Sequence, residues 1–327
     1  MVTQGMAFLK IERVGCGIVK RGKGFRRWHS FPDGCCKKKN NMAQGIGKTV
    51  LVTGGTSGIG YELAKLFAKD GYGLVLVSRT EEDLKRVADE LKQAHGVKVD
   101  YIAKDLFKEA ASQEVYDEVK AKGLHIDVLV NDAGQGEYGF FYETDIHRDL
   151  DIISLNIIAP VYLTKLFIKD MIARKEGKVL NLASIASKAP MPLLGIYAAT
   201  KAFMYSFSQF LRNELKDYNI TVTALLPGAT DTDFFNKAGM LNTIEYNENA
   251  DAQPADVAKD GYEALMKGDD KIVSGAMNKM MAAMSDVTPA PAQAENMREK
   301  HMKNEDGTEG KEGASRSEGD KYGNTAL

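Results

Sequence analysis

The stretch KTVLVTGGTSGIG, residues 48–60, decides the fold class of this chain. An apolar run of strand length ends at Thr53, glycines follow at once, and an amphipathic run, YELAKLFAKDG, starts at Tyr61. Glycines let the backbone approach a pyrophosphate closely, and a helix N-terminus offers it amide groups and the positive end of the helix dipole. Because a strand precedes the glycines and a helix follows them, the stretch predicts a phosphate-binding loop rather than a plain glycine turn.

The same alternation of strand and helix continues outward from this loop. Strands with near-continuous apolar runs, joined by helices, indicate a parallel sheet that is covered on both faces. With right-handed crossovers, this pattern predicts a single doubly wound Rossmann-type α/β domain that binds ligands at the carboxyl ends of its strands. Strands are predicted at 48–53, 73–78, 97–102, 126–131, 178–183, 220–226 and 271–274, and helices at 59–70, 81–95, 108–122, 145–173, 196–217 and 254–267.

Composition divides the chain into three parts. Its 327 residues, 44% of them hydrophobic, are enough for one sizeable core with tails. The core is assigned to residues 45–285, and all three cysteines precede it, so no disulfide framework supports it. Residues 286–327 are rich in Glu, Lys, Gly, Ser and Asn. We expect them to be a disordered polar tail, because they bury too little apolar surface to offset the entropy of ordering.

Residues 1–44 form a basic extension, with ten Lys or Arg and only two acidic side chains among residues 1–41. We expect a disordered segment or a misassigned start, because residues 42–45, MAQG, look like a natural beginning just before the first strand. The alternatives are a targeting segment, or a basic arm that binds nucleic acid or a membrane surface. Glycines and charges interrupt every apolar stretch here, which argues against a secretory signal.

Length and charge also bear on location and partners. No run of the core reaches the roughly 18 apolar residues of a membrane span, and the formal net charge is only −2. We therefore expect a cytoplasmic protein with no membrane span. We also expect no nucleic-acid partner, since only the basic extension favours nucleic-acid binding. No metal site is predicted.

The end of the second predicted strand selects the cofactor. An acidic residue at this point would accept hydrogen bonds from the adenosine ribose hydroxyls of NAD and would repel a 2′-phosphate. The strand instead ends in Ser78 and Arg79, a hydroxyl and a guanidinium that suit a phosphate group. The sequence therefore predicts NADP(H) as the cofactor.

Tyr197 and Lys201 carry the predicted chemistry. A phenol with a pKa of about 10 is a poor acid at neutral pH, and an ammonium one helical turn away favours the phenolate and lowers that pKa. The spacing of four residues puts both side chains on one helix face. The Tyr-x-x-x-Lys pattern also occurs at Tyr61 and Tyr116, but only the third match follows a serine, Ser184, that is placed to polarise a substrate oxygen.

In this order and at these spacings, the motifs resemble the short-chain dehydrogenase/reductase family across nearly the whole core. The resemblance covers the Thr-Gly-x-x-x-Gly-x-Gly loop, an Asp-Leu pair, an Asn-Asn-Ala-Gly element and a Pro-Gly element. Asp132 stands where the family usually has the second asparagine. The resemblance implies cofactor contacts at Thr53, Gly54, Thr56, Ser57, Gly58, Ile59, Gly60, Ser78, Arg79, Asp105, Leu106, Asn131, Ala133, Gly134, Tyr197, Lys201, Pro227, Gly228, Thr230 and Thr232.

The resemblance also implies a catalytic set of four residues. NADPH would deliver hydride to a carbonyl carbon while Tyr197 protonates the oxygen, Ser184 polarises it and Lys201 holds the nicotinamide ribose. Asn156 is the fourth member; because Pro160 has no amide hydrogen, the Asn156 carbonyl loses its helical partner. In the family that carbonyl holds a water that links the lysine to solvent. The plain alternative is a proline that kinks a long helix.

Two apolar segments, residues 191–194 and 229–250, match those that wall the substrate pocket in this family. The expected small-molecule substrate is an apolar ketone, aldehyde or 3-oxoacyl group, or the corresponding alcohol. The alternative function is a non-catalytic NADP-binding sensor or scaffold, although such proteins usually lose the tyrosine or the lysine. By the same resemblance we expect a homodimer or homotetramer.

Overall fold

The computed structural model describes residues 44–250, 252–285 and 287–301. The predictions made for residues 1–43 of the basic extension and for residues 302–327 of the tail lie outside the described residues. The described residues belong to one structural unit, Ala43–Leu327.

Seven parallel strands form one sheet in the order β3-β2-β1-β4-β5-β6-β7. The order reverses between β1 and β4, and open α/β sheets bind ligands in the crevice at such a point. The predicted doubly wound fold is therefore confirmed, and β2 and β6 have the predicted bounds. The strands are β1 (Thr49–Thr53), β2 (Gly73–Ser78), β3 (Val99–Ala103), β4 (Val128–Asn131), β5 (Gly177–Leu182), β6 (Ile220–Leu226) and β7 (Lys271–Val273).

Helices connect the strands and cover both faces of the sheet. The helix Glu81–His95 shows how the sequence marks the start and the end of a helix. Three acidic residues, 81–83, lie at its positive N-terminal end, and Gly96 follows its last turn in the left-handed conformation, φ 67°. The helices are α1 (Gly58–Lys69), α2 (Glu81–His95), α3 (Ala111–Ala121), α4 (Ile146–Ile153), α5 (Ala159–Arg174), α6 (Gly195–Leu215), α7 (Phe234–Lys237), α8 (Ile244–Asn249), α9 (Pro254–Lys267), α10 (Ala276–Ser285) and α11 (Ala290–His301).

The core has two layers because successive side chains of a strand point to opposite faces. On β1, Leu51 packs into the layer formed with α3, α5 and α6, whereas Val50 and Val52 pack into the layer formed with α1, α2 and α9. All three side chains are fully buried. Burial on both faces is the physical reason for the continuous apolar runs from which the parallel sheet was predicted.

One helical stretch of 29 residues, Ile146–Arg174, joins α4 and α5 through a π-helical turn at Ser154–Ile158. The Ala159 amide donates to the carbonyl of Ser154, five residues back, immediately before Pro160, which has no amide to donate. The stretch is long and apolar enough to cross a membrane, but half of its most apolar window is buried inside the fold. A helix in the core of a folded domain can have the same length and composition as a membrane span, so these two properties do not distinguish them.

The tail is ordered further than its composition predicts. Residues 290–301 form α11, so the prediction of a disordered tail from residue 286 is wrong for this part. Two features explain this order. The Gln293 amide donates to the carbonyls of Ser285 and Thr288, at 2.8 and 2.6 Å. His301 is buried, with only 2% of its surface exposed, where it packs on the substrate side of the domain. These tertiary contacts offset the entropy cost that composition alone suggested would prevail.

Candidate active site

One cavity lies at the carboxyl ends of the strands and takes in the glycine loop, the end of β2 and the start of α6. The sequence elements predicted to form a site therefore meet in one place. The predicted residues that line it are Gly54, Thr56, Ser57, Gly58, Ile59, Ser78, Arg79, Asp105, Leu106, Ala133, Gly134, Ser184, Tyr197, Lys201, Pro227, Gly228, Thr230 and Thr232.

Three residues predicted to contact the cofactor lie behind the cavity wall instead. The Thr53 hydroxyl accepts from the amides of Asp132 and Ala133, at 3.1 and 3.2 Å. The Asn131 amide group donates to Thr164 and Asn181, which ties β4 to its neighbours. Gly60, the third, lies in the first turn of α1 directly beside the Asp132 side chain, where there is no room for a Cβ. These residues hold the loops in place rather than line the pocket.

The glycine loop has the backbone conformation that a phosphate cradle needs. Gly54 and Gly58 have φ values of 74° and 57°, in the left-handed region that favours glycine. A Cβ at Gly54 would lie 2.9 Å from the Asp132 carboxylate, and one at Gly58 would lie 3.2 Å from Thr232. Larger residues at either position would therefore strain the loop that precedes α1.

The end of β2 forms the far part of the cavity. The hydroxyls of Thr56 and Ser78 are 3.3 Å apart, and the Arg79 guanidinium lies 5.6 Å from the centre of the Phe107 ring. Lys104, at the end of β3, also lines this part. Lys104 was not predicted from the sequence, although its position after the third strand, next to the Asp-Leu pair, is a visible signal. Two cations and two hydroxyls at one end of the cavity suit a phosphate group.

The proposed proton donor, Tyr197, lies deep in the cavity beside Ser184 and Lys201. The Lys201 ammonium is 5.6 Å from the centre of the Tyr197 ring and donates to the Leu182 carbonyl at 2.8 Å. Ser184 is 7% exposed; its hydroxyl accepts from the Ala186 amide at 3.1 Å. This arrangement brings a phenol, a hydroxyl and an ammonium to one wall of one pocket.

The pKa of Tyr197 differs from the expected direction. Burial raises the pKa of Tyr197 to about 12, while a hydrogen bond from Ser184 lowers it and the Asp132 charge raises it. Burial also lowers the pKa of Lys201 to about 8, against the opposing effect of Asp132. Desolvation disfavours the charged form of each group, and it is the largest cause of both shifts. At neutral pH Tyr197 therefore carries its proton.

Asp132, which was not among the predicted site residues, lines the cavity and interacts with Gly60 and Lys201. Its carboxylate accepts a hydrogen bond from the Gly60 amide, and its Oδ1 atom is buried with no hydrogen-bond partner. Burial raises the pKa of Asp132 to about 7, although the Lys201 charge and the Gly60 amide oppose the rise. Asp132 thus contacts the glycine loop and lies within the electrostatic reach of Lys201. The signal in the sequence was its departure from the family's asparagine.

Asn156 does not line the cavity. Its side chain bonds to the segment after β4 and to α6. Its Oδ1 accepts from the Gln135 amide at 3.0 Å, and its Nδ2 donates to the Gln135 carbonyl and the Thr200 hydroxyl, both at 2.9 Å. The π-helical turn carries this side chain, which fixes the segment after β4 against α6. Asn156 therefore positions the catalytic helix.

The cavity wall beside Tyr197 is largely apolar, as the sequence predicted, although Asp233, Lys237 and Glu245 also line the cavity. The Phe234 ring is tilted by 48° against the Tyr197 ring with the ring centres 4.8 Å apart, and Leu194 and Met240 are buried beside them. His301, from the end of α11, also lines this side. It was missed because the tail was expected to be disordered. Among the described residues, no three His, Cys, Asp or Glu side chains come close enough to hold a metal ion.

The fold and the cavity define a class: a Rossmann-type nucleotide-binding domain with a Ser-Tyr-Lys site. The family model for short chain dehydrogenases matches residues 48–240. The chain belongs to the short-chain dehydrogenase family, as the motifs indicated.

Known proteins of this family are similar over most of the core. Very-long-chain 3-oxoacyl-CoA reductase of Bos taurus is 38% identical over 189 residues, 56% of this chain and 59% of that protein. A short-chain dehydrogenase from Sphingobium yanoikuyae in complex with NADPH has a TM-score of 0.66 at 28% identity, covering 74% of this chain and 97% of that one. L-Sorbose reductase from Gluconobacter frateurii, complexed with NADPH and L-sorbose, has a TM-score of 0.63 at 28% identity, covering 72% and 98%. The chain spans about three fifths of the length of the curated reductases it matches.

Proposed function

We propose that this protein is an NADP(H)-dependent oxidoreductase that reduces a carbonyl group to an alcohol. The observation that carries the proposal is the single cavity that joins the glycine loop to Ser184, Tyr197 and Lys201. Two similar solved structures hold NADPH, and the similar curated proteins are reductases of 3-oxoacyl-CoA. A sensor or scaffold without turnover is not supported, because this chain keeps all three of these side chains.

The residues present fit a dinucleotide that carries a 2′-phosphate. The left-handed glycines at 54 and 58 and the N-terminus of α1 would hold the pyrophosphate. Ser78, Arg79 and Lys104 would hold the 2′-phosphate through charge-assisted hydrogen bonds. Bound NADPH supplies the hydride that reduces the carbonyl carbon.

The protein's own contribution is to position and protonate the substrate. Tyr197 carries its proton at neutral pH, so the phenol is in the form that donates to the carbonyl oxygen as charge develops there. The Ser184 hydroxyl, which touches the phenol, would donate to the same oxygen and stabilise the negative charge. Lys201 lies one helical turn further along α6 and stabilises the phenolate that remains after the proton has left.

The apolar wall indicates the class of substrate. Phe234, Leu194 and Met240 offer apolar contact next to the phenol, and this environment suits a ketone, an aldehyde or a 3-oxoacyl chain better than a small charged acid. We also propose a homo-oligomer, because α5 and α6 expose Tyr162 and Phe210 on the surface. The cytoplasmic location stays a prediction.

The chain provides its own controls for the test. Tyr197→Phe removes only the hydroxyl, and kcat for NADPH oxidation with a carbonyl substrate should fall by roughly two to four orders of magnitude, the usual contribution of a positioned acid. Tyr61→Phe and Tyr116→Phe remove the hydroxyls of the two other Tyr-x-x-x-Lys pairs, which bond to Glu90 and Asp170 on the surface, and should leave kcat nearly unchanged.

NADPH binding, measured by the fluorescence of the dinucleotide, separates loss of chemistry from loss of the fold. The substrates are methyl ketones of increasing chain length, aromatic aldehydes and acetoacetyl thioesters. Full kcat in Tyr197→Phe would show that another group donates the proton. If NADPH binds to the unmodified protein but none of these carbonyls is reduced, the sensor function becomes the better explanation.

A further inference from the structure

Helix α11 (Ala290–His301) packs on the domain through contacts that have no role in the proposed reaction. The Tyr138 hydroxyl donates to the His301 carbonyl at 2.7 Å, and the His301 Nδ1 atom lies 2.8 Å from the Pro192 carbonyl. Further up the helix, the Arg298 guanidinium lies 5.9 Å from the centre of the Phe140 ring. The C-terminal end of α11 is thus held between two separate loops.

Both of these loops belong to the substrate side of the cavity. Tyr138 lies in the segment that follows β4, and its amide donates to the Ala238 carbonyl in the apolar cluster around Phe234. Pro192 lies in the segment between Ser184 and α6. Helix α11 also packs against α8, whose Tyr246 belongs to the same apolar cluster. None of these contacts involves the glycine loop or the end of β2.

His301 is the residue through which α11 reaches the cavity. It is 2% exposed and is part of the cavity wall together with Met191 and Leu194. A carbonyl oxygen can only accept, so the contact with Pro192 places a proton on Nδ1. The other ring nitrogen, Nε2, adds one polar group to a mostly apolar wall.

We propose that α11 closes the substrate end of the cavity and that His301 is a specificity-determining residue that limits how large a substrate can be. The proposal rests on the proposed function for the identity of the substrate. The imidazole occupies space that a longer alkyl chain would need, and its removal lets that chain bury more apolar surface. Because α11 avoids the cofactor side, changes here should leave NADPH affinity unchanged.

The first test compares His301→Ala with the unmodified full-length protein across methyl ketones of increasing chain length. The ratio of kcat/KM for long ketones to that for short ones should rise about tenfold, the effect of one to two additional buried methylenes. The dissociation constant of NADPH should not change. His125→Ala, which removes an exposed histidine far from α11 in sequence, is the matched control.

A second variant removes only the anchor of the helix. Tyr138→Phe deletes the hydroxyl that holds the His301 carbonyl but keeps the ring, so it should shift selectivity in the same direction even if His301→Ala does not fold. Tyr142→Phe, at a tyrosine that is 79% exposed, is its control and should behave as the unmodified protein.

Binding of the same ketones to the protein with NADP⁺ gives a readout without turnover, since no hydride is available. Calorimetry should show that long ketones gain affinity in His301→Ala while short ones do not. This experiment separates the two proposals, because it works even if the unmodified protein reduces no ketone. Unchanged selectivity in both variants, or weaker NADPH binding in His301→Ala with the ketone ratio unaltered, would overturn the role assigned to α11.

Discussion

We predict that the Asn156 side chain makes a large contribution to the stability of the fold. Asn156 is 2% exposed and makes three hydrogen bonds, two of them to the backbone of Gln135. Asn156→Ala removes all three. Thr200 keeps a partner, because its hydroxyl also donates to the Tyr197 carbonyl at 2.7 Å. The amide and carbonyl of Gln135 are the groups left without one.

The size of the effect follows from those two stranded groups. A buried donor or acceptor left unsatisfied costs about 1–3 kcal/mol, so Asn156→Ala should lower the free energy of unfolding by roughly 2–6 kcal/mol. For a domain of this size each kcal/mol shifts Tm by about 2–4 °C. Asn156→Asp keeps the acceptor for the Gln135 amide, but it buries a charge and sets an oxygen against the Gln135 carbonyl, so its loss should be at least as large.

Urea unfolding followed by circular dichroism measures the change, with thermal scans as a second readout. Asn213→Ala, at an exposed position on α6, is the matched control and should stay within about 0.5 kcal/mol of the unmodified protein. If Asn156→Ala is as stable as this control, the segment after β4 is not held by Asn156. The assignment of Asn156 as a positioning residue would then be wrong.

Two further predictions concern the cofactor and the buried carboxylate. Arg79→Asp should weaken NADPH binding by at least tenfold and favour NADH, because it removes a charge-assisted contact of about 1.5–3 kcal/mol and adds repulsion; equal affinities of the unmodified protein for both dinucleotides would contradict it. The folded-state pKa of Asp132 is raised to about 7, so its contribution to stability is present below about pH 4 and is lost as pH rises through about 7. Asp132→Asn should therefore gain stability relative to the unmodified protein between those values, and parallel stability curves across that range would refute the shift.

The sequence predicted the parts of the fold whose signals are local. Strand β2 has its predicted bounds because a continuous apolar run ends in polar residues. Helices α2 and α9 have theirs because a left-handed glycine, Gly96 or Gly268, follows the last turn, and acidic residues or Pro254 stand in the first turn. The glycine loop was predicted because a strand, glycines and a helix follow each other without interruption. Each of these signals lies within about a dozen neighbouring residues.

What the sequence did not predict depends on contacts between distant residues. Tyr138 and His301, whose hydrogen bond anchors α11, are 163 residues apart, and neither carries a local signal for it. The upward pKa shift of Tyr197 has the same origin. The helix spacing that suggested an acidified phenol is local, whereas the burial that raises the pKa comes from the whole wall of the cavity.

The three Tyr-x-x-x-Lys pairs show what turns a spacing into a site. Their geometry within the helix is nearly the same: the ammonium lies 5.1, 5.7 and 5.6 Å from the ring centre in the pairs of Tyr61, Tyr116 and Tyr197. Nor does a raised pKa distinguish them, because burial and a bond to Glu90 raise the pKa of Tyr61 to about 12 as well.

The partner of the phenol differs among the three. Tyr61 and Tyr116 bond to carboxylates, Glu90 and Asp170, which oppose the loss of the proton and occupy the hydroxyl. Tyr197 instead bonds to the hydroxyl of Ser184, which lowers its pKa and can donate to the same substrate oxygen. It also faces a cavity that a dinucleotide fits. What distinguishes Tyr197 is therefore what the sheet places opposite it, since the lysine four residues along the helix is common to all three.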